Sequence, residues 1–214
     1  MKNQARAKLE ALGVEIPDIV MDMVEERPDT TLQEYAMALL VLGGMGKWDE
    51  HYDNWQPLSR HVYAFDAEIF DVENMYRDIL QGIQSIVPGV TFDNIQEDLS
   101  QMTEDMMDPS IDIEELITQG EEVDFESLGM SVLPTDGQRS VSFLCNGNPY
   151  SVTLASYGDW LNPEFLDFVD EVLQKEAPGK RLCCMQMPLG QEVVVLYTTI
   201  ENAKAIADLT GLSQ

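Results

Sequence analysis

Apolar residues recur at helical spacing through much of the first 45 positions. Lys2 to Leu12 forms a short amphipathic stretch. Pro17 then stands where a helix begins, since its missing N–H costs nothing at a first helical position. Ile19, Val20, Met23 and Val24 supply the matching apolar stripe, which Arg27-Pro28 breaks. Thr31 with Glu34 spells a capping box, in which each side chain satisfies a backbone N–H of the other end of the turn. Leu32, Tyr35, Ala36, Leu39 and Leu40 follow on one face, and Gly43, Gly44 and Gly46 stop that helix. The next segment, Lys47 to Arg60, is polar, carries two tryptophans and has no period, so it reads as a loop or irregular surface turn. His61 to Phe65 reads as a short extended piece. Asp71 reads as the cap of a helix whose face is Val72, Met75, Tyr76, Ile79, Leu80 and Ile83, ending near Pro88-Gly89. Val90 to Met102 alternates weakly, as a strand would.

The last third has the clearest pattern. Ser140 to Cys145 and Tyr150 to Ala155 alternate about Asn146-Gly147-Asn148, predicting a β-hairpin. Asn162-Pro163-Glu164 predicts a helix start with Asn as cap, Pro first inside and an acid in the first turn. Phe165, Leu166, Val169, Val172 and Leu173 would line its buried face. Arg181 to Met187 and Glu192 to Thr198 predict a second hairpin around Pro188-Leu189-Gly190. Thr198 with Glu201 would cap a final helix carrying Ala203, Ile206, Ala207 and Leu209, closed by Gly211. The order ββαββα favours an α+β fold: N-terminal helices followed by an antiparallel sheet with helices packed on one face. The expected division is a helical region over 1–60 and an α+β domain over 61–214, the two possible as one continuous domain, with an acidic connector at about 103–130.

Composition changes this picture in one respect, the charge. Twelve Lys and Arg stand against thirty-nine Asp and Glu, a formal net charge of −27. Hydrophobic residues are still 44%, so the chain has the means to build a core and is no disordered acidic tail. Between Arg77 and Arg139 there is no basic residue, while fifteen acids lie in that gap. Such a surface repels phosphates and anionic lipid heads, which argues against nucleic acid and membrane partners, and it attracts a cationic protein. Acidity serving solubility alone is the alternative. The N-terminus has no apolar run behind its basic residues and no stretch reaches the length of a membrane span, so a cytoplasmic location is expected. Three cysteines, an odd number, fit that expectation.

The residues that usually carry chemistry are sparse. His51 and His61 are the only histidines, and Cys145, Cys183 and Cys184 form no C-x-x-C motif, so no zinc site, cofactor or catalytic set is expected. Asp49, Glu50, His51 and Asp53 could hold a hard cation but lack the spaced oxygen ligands and glycine of a calcium loop, so a solvated acidic loop is the better reading, as it is for Asp105, Asp108, Asp112 and Glu115. On a strand, Cys183 and Cys184 would point one inward and one outward. Gly43-Gly44-Met45-Gly46-Lys47 lacks phosphate-loop spacing and reads as a helix stop. A hydrolase working through a carboxylate pair or a divalent cation, and a housekeeping protein, remain as alternatives. Trp48 and Trp55 are either pinned against the core or anchors for a partner; Trp160, next to the Asn162 cap, reads as structural. The expected partner surface therefore comprises Trp48, Trp55, Glu104, Asp105, Asp108, Asp112, Glu114, Glu115, Glu121 and Glu122.

Gly147-Asn148-Pro149-Tyr150, Asp159-Trp160-Leu161, Gly190-Gln191 before Val193 to Tyr197, Glu201-Asn202-Ala203-Lys204 and Thr210-Gly211 together resemble a small α+β module of acidic, uncharacterised proteins of Firmicute-type bacteria. Val62-Tyr63-Ala64-Phe65-Asp66-Ala67-Glu68 and Asn74-Met75-Tyr76 are similar to the same group, so the resemblance spans roughly residues 60–211. Some of these proteins resemble immunity proteins of polymorphic toxin systems. The resemblance implies a non-catalytic protein that neutralises a cationic toxin by covering its active surface, and its motifs carry no active-site residue.

Overall fold

The computed structural model describes residues 1–49, 54–68, 74–102, 137–158, 160–187 and 190–213. Three helices open the chain: α1 (Lys2–Ala11), α2 (Asp18–Met23) and α3 (Leu32–Met45). The Thr31 hydroxyl accepts from the Glu34 N–H while the Glu34 carboxylate accepts from the Thr31 N–H, completing the capping box. Tyr35 ties the preceding turn to α3, its hydroxyl accepting from the Arg27 N–H at 2.8 Å and donating to the Arg27 carbonyl at 3.0 Å. Gly46, at φ 69°, ends the helix.

Here the expected loop is replaced by a hairpin of two short strands, β1 (Lys47–Asp49) and β2 (Asn54–Gln56), with Trp48 opposite Trp55. Three residues per strand are too few for alternation to show, whereas a tryptophan in each favours the extended backbone. Then follow β3 (Val62–Asp66), α4 (Met75–Ile86), β4 (Phe92–Met102), β5 (Gly137–Cys145), β6 (Asn148–Ala155), α5 (Glu164–Glu176), β7 (Arg181–Gln186), β8 (Glu192–Thr198) and α6 (Ile200–Thr210). Asp71, expected to cap α4, lies outside the described residues, and Asn74 occupies the position before the helix. The α6 cap is Thr199 and not Thr198: its hydroxyl accepts from the Asn202 N–H, while Thr198 completes β8 and is buried.

Among the described residues all strand pairings are antiparallel, and besides the β1–β2 hairpin they form two three-stranded sheets ordered β3-β8-β7 and β4-β5-β6. In the second sheet β5 alternates buried and partly exposed residues, so one face meets the core. Its β5–β6 connection is two residues, Asn146 and Gly147, both at positive φ (49° and 85°), the geometry that matches strand twist in a tight hairpin. At the opposite end Met102 pairs directly with Gly137.

The β3-β8-β7 sheet differs, because both its faces are covered. Tyr63, Phe65, Val193, Val195 and Tyr197 join one core with α4, α5 and the β4-β5-β6 sheet. Val62, Ala64, Val194 and Leu196 join a second core with α1, α2, α3 and α6. This explains the unbroken apolar run of β8, Val193 to Tyr197, every residue of which is buried. The molecule is thus layered as helices, sheet, helices, sheet. The first 45 residues and the C-terminal helix share one hydrophobic cluster. Each fully buried aliphatic side chain in these cores contributes about 1.5–3 kcal/mol.

Candidate functional site

Of the expected partner-binding residues, Trp55 stands 53% exposed on the β1–β2 hairpin, opposite Trp48 in register. Glu104, Asp105, Asp108, Asp112, Glu114, Glu115, Glu121 and Glu122 lie outside the described residues. So do Glu50, His51 and Asp53. Among the described residues no three His, Cys, Asp or Glu side chains converge to hold a metal ion.

The basic side chains are largely engaged within the chain. Lys2, Arg6, Arg27, Arg60, Arg77, Arg139 and Arg181 each lie within ion-pair distance of an Asp or Glu. Lys175 and Lys180 lie over the Tyr150 and Tyr197 rings. Among the described residues, few cations are thus left without a carboxylate or ring partner in the chain.

One ion pair is fully internal and was not anticipated. Arg139 is 2% exposed and its Nε lies 3.5 Å from Glu97 Oε2, whose side chain is 5% exposed. The guanidinium sits 5.0 Å from the Tyr76 ring centre, and Nη1 lies 3.5 Å from Met75 Sδ. Glu97 Oε1 accepts the Arg77 N–H at 2.9 Å, so a β4 carboxylate caps the first turn of α4. Burial raises the Glu97 pKa, opposed by the Arg77 N–H and by Arg139. The clue was present in the strand itself: Arg139 has the same parity as Val141, Phe143 and Cys145, the inward residues of β5.

The two adjacent thiols do not divide into one inward and one outward. Cys183 packs against the N-terminal core and Cys184 against the other, because the sheet between them is covered on both faces. Burial pushes the Cys184 thiol up to about 12, with Asp167 adding to it, and raises that of Cys183. Both stay as thiols at neutral pH, a poor state for nucleophilic attack. Cys145 is buried and raised to about 11 by the same cause.

A cleft of about 520 Å³ opens where β2 meets the end of α4, lined by Gln56, Arg60, His61, Gln81, Gln84 and Ser85 among others. His61 holds a left-handed backbone (φ 67°), and its Nδ1 lies 3.1 Å from the Ile86 carbonyl at the helix end. The Ser85 hydroxyl donates to the Gly82 carbonyl at 2.6 Å, and Arg60 pairs with Glu15 at 3.2 Å. No Asp or Glu of the described residues lines this cleft to orient the imidazole. The serine proton is directed into its own helix, so imidazole and hydroxyl form no nucleophile–base pair.

No protein-family model, curated protein or solved structure matches the chain. No helix among the described residues is long and apolar enough to cross a membrane.

Proposed function

We propose that this is a non-catalytic binding protein that neutralises or inhibits a cationic protein partner, as an immunity protein does. The observation that carries the reading is the fate of the few basic side chains. Thirty-nine carboxylates face twelve cations, and seven of those cations already lie within ion-pair distance of a carboxylate of the chain itself, several of them at its surface. A surface of that kind steers a positively charged partner towards it and discourages phosphate-bearing ones. The half-exposed Trp55 adds an aromatic anchor of the type that slows dissociation once docked. The inert thiols and the unpaired chemistry of the His61 cleft offer no competing catalytic centre among the described residues.

The test is kinetic. Proteins retained by the immobilised chain at low salt and eluted by salt are purified, and their association rates are followed as ionic strength rises. The rate should fall at least about ten-fold once the Debye length shrinks from roughly 30 Å to 8 Å. A rate that stays flat over that range removes the electrostatic basis of the reading. Trp55→Ala should chiefly speed dissociation, seen in the same experiment.

A further inference from the structure

A second surface combines apolar floor, aromatic lip and negative rim in one place. A groove of about 510 Å³ runs between the start of α5 and the β7–β8 pair, with Leu161, Leu166, Cys184 and Val193 in its floor. Trp160 stands at the lip, 39% exposed, with Tyr157 beside it at 49%. The lip is held firmly by backbone bonds. The Trp160 N–H donates to the Tyr157 carbonyl at 3.2 Å, the Leu161 N–H to the Ala67 carbonyl at 2.9 Å, and the Ala67 N–H to the Gln191 carbonyl at 2.9 Å. Asp167 and Glu192 line the same groove, and no Lys or Arg among the described residues does. Neither acid is in an ion pair with a described basic side chain.

We infer that this groove is the docking site for an apolar side chain of the cationic partner, flanked on the partner by lysine or arginine. The apolar anchor fills the floor, one flanking cation lies on the face of Trp160, and others meet Asp167 and Glu192. Each element matches a known energetic source: burial of apolar area, cation–π contact, and charge pairing at a partly desolvated rim. Charge decides the occupant. A neutral or acidic segment would bring its apolar group to Asp167 and Glu192 with nothing to offset them, within a molecule of net charge −27. This site deepens the reading above and rests on it, since it needs a cationic partner. Trp160 thus has a second use besides preceding the Asn162 cap.

The experiment uses the full chain with Trp48→Phe and Trp55→Phe, so that Trp160 alone reports by fluorescence, and calorimetry on the unaltered chain. The probes are capped peptides of alternating Lys and Leu, of Lys and Gly, and of Glu and Leu. At low salt the Lys–Leu peptide should bind saturably and shift Trp160 emission; the Lys–Gly peptide should bind about ten-fold more weakly and the Glu–Leu peptide not at all. Asp167→Asn with Glu192→Gln, the first exposed and the second half-buried at the rim, checked for unchanged circular dichroism, should weaken the Lys–Leu peptide about ten-fold. If that peptide binds by calorimetry but leaves Trp160 emission and the rim variant unaffected, or if Lys–Gly binds as well, the groove is refuted while the acidic-surface reading stands. If no basic peptide binds even at low salt, both fall together.

Discussion

At the residue scale, Arg139 and Glu97 show how a charge can be kept inside an acidic protein. Two ions withdrawn from water cost several kcal/mol each, and their attraction offsets this only when other bonds help. Glu97 has such help from the Arg77 N–H; Arg139 has the Tyr76 face and the Met75 sulfur. Arg139→Met alone should therefore destabilise the protein by about 3–5 kcal/mol, because it strands a buried carboxylate. Adding Glu97→Gln should recover most of that loss, leaving the double variant within about 1 kcal/mol of the parent in urea unfolding. Strictly additive losses would mean that the two groups do not act as a pair. The pair was legible only by parity along β5. Other single residues were plainer: Asn162 accepts the Glu164 N–H at 2.9 Å, as its place before Pro163 foretold. The exposure of Trp160 was not legible, because it depends on what Ala67, Gln191 and α5 leave open around it. The consecutive threonines 198 and 199 hid a one-residue shift in the α6 cap, which only the end of β8 decides.

At the scale of elements, local pattern succeeded where the partner lay nearby and failed where it was distant. The capping box of α3, the two-residue β5–β6 turn and the apolar face of α5 are all fixed within a few residues. The pairing of β3 with β8 joins residues 62–66 to residues 192–196, so no local period announces it. Likewise β1 and β2 are too short to alternate. Gly82 sits on α4 against the Tyr63 ring of β3, and a Cβ at that position would collide with the ring. Gly82→Ala should cost about 1–3 kcal/mol by forcing helix and sheet apart, although alanine is the better helix former. A stabilised variant in thermal unfolding would show that the contact has slack. The pKa of Glu34 is lowered chiefly by the Thr31 N–H and then by its hydroxyl. A lowered folded value means stability that is present above the ordinary carboxylate range and lost as pH falls through it. Glu34→Gln should therefore lower the melting temperature at pH 7, and its difference from the parent should close on acidification below about pH 4.

For the molecule as a whole, the surplus of negative charge acts on stability as well as on recognition. Carboxylates concentrated on one compact body repel one another, and unfolding spreads them out. Raising sodium chloride from about 10 mM to about 0.3 M should thus raise the melting temperature by several degrees, before any partner is present. The same salt weakens the proposed association, so stability and binding should move in opposite directions along one titration. A melting temperature that falls with salt would mean that attractive surface pairs, such as Arg6 with Glu10 and Asp18, outweigh the repulsion.

The direct pairing of Met102 with Gly137 has a further consequence. Residues 103–136, with eleven of the acids, leave and rejoin the body at neighbouring positions of one hairpin, a strand spacing of roughly 5 Å apart. The two residues that flank this stretch are paired neighbours on β4 and β5, so an Asn-Gly link could join them in its place. A chain shortened in that way should keep the parent's melting temperature within a few degrees in thermal unfolding. It would also let binding that needs residues 103–136 be weighed separately from binding that does not.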